Sequence, residues 1–263
     1  HFVDLPKPRV VRRWSSRFDA SPGFHDEVMD YLKHMMEDGD RGRLYEHCVL
    51  TVDAMKLAEA VVYLKSQRVD FGHVDLGSDI SELLKAEFDE TTPPELVAKE
   101  VVVYMVVGLH GNWKIPIGYT LDTTSTAEHL YCGIKAALKR LSDVNMRCWC
   151  VTMDGTDANR CTFGKLGADF TQRGDRNPFF TNPFTGHRVI AHLDYIHMFK
   201  NVRNNLHNDK FFYWDAAGGK VRWDLLKTLV ESSAAHGGHR LAHKLTWRHV
   251  DYFCDRQKVN LAL

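Results

Sequence analysis

The sequence predicts an α/β fold: a mixed sheet with three antiparallel strands first and helix-connected parallel strands after them, followed by a mostly helical unit. Three observations carry that prediction. The run Glu100-Val-Val-Val-Tyr-Met-Val-Val-Gly108 is unbroken and β-branched, which suits a central strand buried on both faces. Segments with apolar residues at helical spacing separate the later strand-like runs, as crossovers between parallel strands require. Three strand-like runs close on aspartate: Cys48-Val-Leu-Thr-Val-Asp53, Cys148-Trp-Cys-Val-Thr-Met-Asp154 and Arg188-Val-Ile-Ala-His-Leu-Asp194.

Residues 1–46 read as a basic linker, with Arg9, Arg12, Arg13 and Arg17 around Trp14, and then a helix. That helix carries Val28, Tyr31, Leu32 and Met35 at helical spacing and should stop near Gly39. A first strand is expected from His47 to Asp53; residues 54–66 fit helix or hairpin equally, and Gly72 and Gly77 punctuate short strand-like pieces. Trp113–Leu121 reads as the hairpin partner of the 100–108 strand. Ser125 and Glu128 form a capping box ahead of a helix with Ala127, Leu130, Tyr131, Ile134, Leu138 and Leu141 on its apolar face. A strand to Asp154, a helix over 157–166, a polar loop with Pro178 and Pro183, a strand to Asp194 and a helix from His197 to Leu206 complete the series. This is the order of an RNase H-like fold, expected over 47–206 and incomplete there. Trp214, Trp223 and Trp247 mark a change to a helical unit over 207–263.

Lys and Arg number 34 against 34 Asp and Glu, so no global positive field advertises nucleic acid, and any such surface must be local. The six cysteines include no C-x-x-C pair and sit mostly in apolar runs, which predicts a reducing compartment and thiols acting as small hydrophobes. Cys148 and Cys150, alternating on a strand, are expected on one face. No apolar run approaches the ~20 residues of a membrane span and no signal-peptide core is present, which predicts a soluble intracellular protein without a membrane partner. A start at His1 suggests a fragment. His236-Gly-Gly-His239-Arg-Leu-Ala-His243 reads as a surface loop, since paired glycines break the helical register a metal site would need.

The strand-end aspartates raise the functional question. Carboxylates meeting at the ends of adjacent strands repel one another unless a cation lies between them. A Mg²⁺ site built from one or two carboxylates and substrate phosphate answers that repulsion and serves phosphoryl transfer. Against this, Asp commonly caps turns, and Asp154-Gly155-Thr156 has the look of one. Asp-Gly-Thr also suggests a phosphatase of the haloacid-dehalogenase type, but Thr152 stands where its nucleophilic carboxylate belongs.

Four segments together resemble the P-element transposase family, which includes the THAP-domain transposases of animals. They are Val49-Leu-Thr-Val-Asp53-Ala-Met-Lys, Trp113-Lys-Ile-Pro-Ile-Gly-Tyr, Met153-Asp154-Gly-Thr-Asp-Ala-Asn159 and Asp194-Tyr-Ile-His197-Met-Phe-Lys200-Asn-Val-Arg203-Asn204. The resemblance implies an RNase H-like catalytic domain interrupted by a helical GTP-binding insertion. It implies an Asp, Asp, Glu triad holding Mg²⁺ or Mn²⁺ for DNA strand cleavage and transfer. Asp53 and Asp154 match its two aspartates, as catalytic residues and metal ligands. The glutamate is expected beyond this chain, because after Lys200 only Glu231 occurs, within the insertion.

Asp194 and Lys200 correspond to family residues near the guanine of GTP, held as a structural cofactor. A carboxylate there would accept from the guanine N1–H and amino group, and no P-loop is present. The resemblance further implies transposon-end and target DNA as partners, a homo-oligomer at full length, and the nucleus. The alternative is a domesticated module that binds DNA or protein and has lost the chemistry.

Overall fold

The computed structural model describes residues 21–64, 69–93, 95–170, 176–207, 213–214, 216–235 and 245–250. They fall into two compact units, one ending at His192 and the other starting at Leu193. The arginine-rich segment around Trp14 and the His236–His243 run lie outside the described residues.

The first unit opens with β1 (Gly23–Phe24), α1 (Asp26–Glu37) and a four-residue turn of helix, α2 (Gly39–Gly42). It continues with β2 (His47–Lys56), the hairpin strands β3 (Val62–Leu64) and β4 (Val69–Phe71), α3 (Ser78–Phe88), β5 (Glu100–Gly108) and β6 (Lys114–Asp122). Then come α4 (Ala127–Asp143), β7 (Arg147–Met153), α5 (Asp157–Leu166), β8 (Phe179–Thr181) and β9 (Arg188–Leu193). Seven strands form one sheet in the order β1-β6-β5-β2-β7-β9-β8. As expected, β6, β5 and β2 pair antiparallel, and β2 then pairs parallel with β7 across the α4 crossover.

Alternation buries one face of this sheet: Cys48, Leu50 and Val52 of β2, Val102, Tyr104 and Val106 of β5, and Val151 and Met153 of β7. Leu130, Ile134, Ala137, Leu138 and Leu141 of α4 are buried with them. Each buried Val, Leu, Ile or Met side chain among them contributes roughly 1.5–3 kcal/mol. Gly133 is the point of closest approach, since a Cβ there would lie 1.9 Å from the Tyr104 hydroxyl.

Several expectations are corrected. β2 does not end at Asp53 but runs on to Lys56, because β5 keeps supplying hydrogen-bond partners through Glu100 after β7 has stopped. α3 was not anticipated, although Ile80, Leu83, Leu84 and Phe88 fall at helical spacing; Ile80 and Leu84 are buried, and the preceding Gly72 and Gly77 had read as turn punctuation. The cap of α4 is Thr126, whose hydroxyl accepts from His129 N at 3.1 Å, while Ser125 is drawn to Glu100 instead. The Pro178–Pro183 loop contains β8, paired antiparallel with β9.

Cys148 and Cys150 do not share a face. The β2/β7 register slips between Cys48↔Cys148 and Val49↔Cys150, leaving Trp149 as a bulge, so Cys148 is buried and Cys150 half-buried. Cys161 is exposed, whereas Cys48 and Cys132 are buried as expected; burial, with nearby Glu87, pushes the Cys132 thiol up to about 12. A second bulge, at Ile117 of β6, sits next to Pro116, which has no N–H for the ladder.

The second unit comprises α6 (Tyr195–His207), an antiparallel pair β10 (Tyr213–Trp214) and β11 (Lys220–Val221), α7 (Asp224–Ala235) and α8 (Trp247–Val250). Among the described residues its core comprises Trp223, Val230 and Val250, with Leu206, Leu226 and Leu245 against them. Trp223 Nε1 donates to the Val250 carbonyl at 3.2 Å. No helix among the described residues is long and apolar enough to cross a membrane.

Candidate functional site

The Trp149 bulge has a consequence for the aspartates. Asp53 is five residues past Cys48 and Asp154 six past Cys148, and the bulge absorbs the difference. The last registered pair is Thr51↔Thr152; two residues further on stand Asp53, within β2, and Asp154, one residue past the end of β7, and both line the same cleft. An unbulged β7 would have turned them to opposite faces.

Both line one cleft of about 250 Å³, with Glu100 at the start of β5, Ser125 ahead of α4, and Thr156 and Asn159 of the α5 entrance. Asp154 Oδ1 accepts from Thr156 N at 3.2 Å and from the buried amide of Asn159, the tight turn being possible because Gly155 takes φ 85°. Among the described residues, Asp53 Oδ1 accepts from its neighbour Ala54 N alone, at 2.9 Å. Neither aspartate takes part in an ion pair among the described residues. Among the described residues, neither Oδ2 has a protein partner. Two adjacent carboxylates without a counter-charge, open to solvent and with an oxygen to spare, fit a hard divalent cation that retains water and takes substrate oxygens. Asp154 thus performs its turn-capping role and lines the cleft with the other oxygen.

Glu100 is a cleft residue that sequence reading missed. It lies inside the most obvious strand of the chain, where position signals structure alone. Its Oε1 accepts both the N–H and the hydroxyl of Ser125, which commits it to the cleft wall. Among the described residues, no group of three His, Cys, Asp or Glu is placed to hold a metal. The same wall is held from behind by Asp122, 2% exposed, which accepts from Thr123 N at 2.7 Å and Thr124 N at 3.3 Å and pairs with His129 Nδ1 at 2.6 Å. Burial opposes charge on His129, but the hydrogen bond and charge of Asp122, together with Glu90, outweigh it and hold the imidazole pKa above its usual value.

In the second unit, Asp194 caps α6: its Oδ1 accepts from Ile196 N at 3.0 Å and its Oδ2 meets His197 Nδ1 at 2.7 Å. Lys200 sits almost two turns along the helix, half-buried, and no ion pair among the described residues joins it to Asp194.

The sheet order, the crossover and the paired strand-end carboxylates define an RNase H-like fold. Comparison with known proteins agrees. The TNP-like RNase H N-terminal domain matches residues 20–167, and the TNP-like GTP-binding insertion domain matches residues 196–263. The chain therefore belongs to the TNP-like transposase family. It is 28% identical over 229 residues to the DNA transposase THAP9 of Homo sapiens, covering 87% of this chain and 24% of that protein. The solved Drosophila P element transposase strand transfer complex shares the fold at a TM-score of 0.69 and 22% identity, covering 98% of this chain and 50% of that one. The chain thus spans about a quarter of the human relative and half of the solved chain.

Proposed function

We propose that this chain is the part of a P-element-like DNA transposase that supplies the first two carboxylates of its metal site. The observation that carries this reading is the bulge-aligned pair Asp53 and Asp154, lining one cleft without a counter-cation. Mg²⁺ or Mn²⁺ held there would neutralise the pair and polarise a phosphodiester for in-line attack by water or a DNA 3′-hydroxyl. The residues' own work is positional. Asn159 and the Thr156 N–H fix Asp154 through one oxygen and leave the other for the ion. Asp122, His129 and Glu100 hold the wall against which a DNA strand would lie.

The third acid belongs to a segment outside this chain. GTP would be held in the insertion domain as a structural cofactor, with Asp194 and Lys200 near the base; the match to a GTP-binding insertion domain over residues 196–263 supports the domain and takes in Lys200 but not Asp194. DNA as substrate, assembly as a homo-oligomer at full length and residence in the nucleus complete the proposal. In the longer protein, Asp53→Asn or Asp154→Asn should abolish metal-dependent strand cleavage while circular dichroism stays unchanged. Cleavage surviving in both variants would refute the assignment. DNA binding indifferent to Mg²⁺, with no cleavage by the intact protein, would favour the domesticated alternative instead.

A further inference from the structure

β2 and β7 run parallel, so their starting ends face away from the cleft, ~20 Å down a seven-residue strand. There Arg147 opens β7 opposite His47. Its guanidinium lies 3.7 Å over the Trp149 ring, which the bulge has freed from the ladder. Its Nε–H is buried with no acceptor among the described residues, and so is Nδ1 of His47. Arg147 joins none of the ion pairs among the described residues. That Nε–H is closed to a ligand, and the four Nη–H donors of this half-buried side chain are the ones an acceptor could meet.

Beside it is a pocket of about 190 Å³ whose polar lining is Ser142, Asn145, Arg147, Asn182, Thr185 and His187, with no carboxylate. Liquid water occupies ~30 Å³ per molecule, so this space exceeds what one bridging water would fill. Asn182 is buried, and its Oδ1 already accepts from Phe184 N at 2.9 Å, which leaves the NH₂ end of its amide as the available group. The α4 carbonyls of Leu141 and Ser142 are taken by the N–H groups of Met146 and Asn145, which lessens their repulsion of an anion. The pocket offers donors and one fixed positive charge.

We infer that this pocket is a phosphate-binding site, occupied by a backbone phosphate of a nucleic acid. The fork of Arg147 matches phosphate oxygens, and the Asn182 amide with His187 supplies further donors. A nucleic acid is favoured over a free phosphate by the ring row continuing from Arg147: His47 lies 5.7 Å from Trp149 and His110 5.6 Å from His47. Such rings suit sugars and bases beside the phosphate. The inference is independent of the metal cleft.

The test follows the Arg147 Nε–H and Trp149 indole N–H signals of the ¹⁵N-labelled chain, titrated at constant ionic strength with inorganic phosphate and with a short DNA duplex. Both should produce saturable shifts, and excess phosphate should reverse those caused by DNA. Arg147→Gln should weaken DNA binding uniformly across sequences and lower the slope of log K against log salt by about 1. His187→Gln, at an exposed position that folding tolerates, should weaken phosphate binding several-fold, whereas Asp154→Asn should leave it unchanged. Shifts with phosphate but none with DNA would overturn the nucleic-acid occupant and leave a site for a free phosphate ester. Silence of both signals toward both titrants would overturn the site.

Discussion

The two ends of the β2–β7 strand pair differ in charge, although the starting end also carries the exposed Glu46 carboxylate, 4.0 Å from His47. At the finishing end, Asp53 and Asp154 share a cleft with Glu100, and Asp122 lies behind its wall. At the starting end, Arg147 stands next to His47, Trp149 and His187, with no carboxylate in the pocket lining. A formal net charge of zero conceals this division, because equal numbers of acids and bases cancel only in the sum. Local placement, not composition, is what an ion or a phosphate encounters. One bulge serves both ends: it releases Trp149 to back Arg147 and brings Asp154 alongside Asp53.

The contrast is open to direct tests. The largest effect should come from Asp53→Asn or Asp154→Asn. Each should lower the affinity of the chain for Mn²⁺ by more than the ~100-fold that loss of an outer partner costs, as read by electron paramagnetic resonance. The Arg147 and Trp149 resonances should not move, and a change in them would show that the ends are coupled. Next, Asn159→Leu removes the amide that holds Asp154 and should cost about 10- to 100-fold in Mn²⁺ affinity. Unchanged affinity in the folded variant would mean that the Thr156 N–H alone orients the carboxylate.

Between the ends, Gly133→Ala drives a methyl group into the Tyr104 hydroxyl. Urea unfolding should report a loss of about 1–3 kcal/mol for the first unit, without favouring either end. The smallest effect concerns pH. Because His129 binds its proton more tightly when folded, its contribution to stability is complete below the ordinary histidine value of about 6.5. That contribution is lost as pH rises through the raised folded value. His129→Gln should flatten this part of the stability profile, and an unaltered profile would remove the imidazole from the cleft wall.

Much of the fold was legible in residue order. The β-branched run at 100–108, the apolar stripe of α4 and the chain segment 157–166 all became the elements their patterns announce. α3 was missed although Ile80, Leu83, Leu84 and Phe88 carry helical spacing, because Gly72 and Gly77 ahead of it read as breaks between short strands. Ser125 misled because the competing carboxylate of Glu100 lies 25 residues away in sequence and is brought near only by strand pairing. The site was half legible. Asp53 and Asp154 stood out as acids at the ends of apolar runs, while Glu100, Asp122 and Asn159 gave no sign before their neighbours were known.

The sequence by itself determined most of the strands and helices, the antiparallel-then-crossover order and the family likeness, since each rests on periodicity or on short motifs that local physics reads directly. The tertiary structure alone decided where those strands register. A one-residue slip reverses the face of every side chain beyond it, and nothing in the run Cys148-Trp-Cys says which residue will be left out of the ladder. Pairing with β2 excludes Trp149, and that choice sets two aspartates side by side at one end and an arginine against a tryptophan at the other.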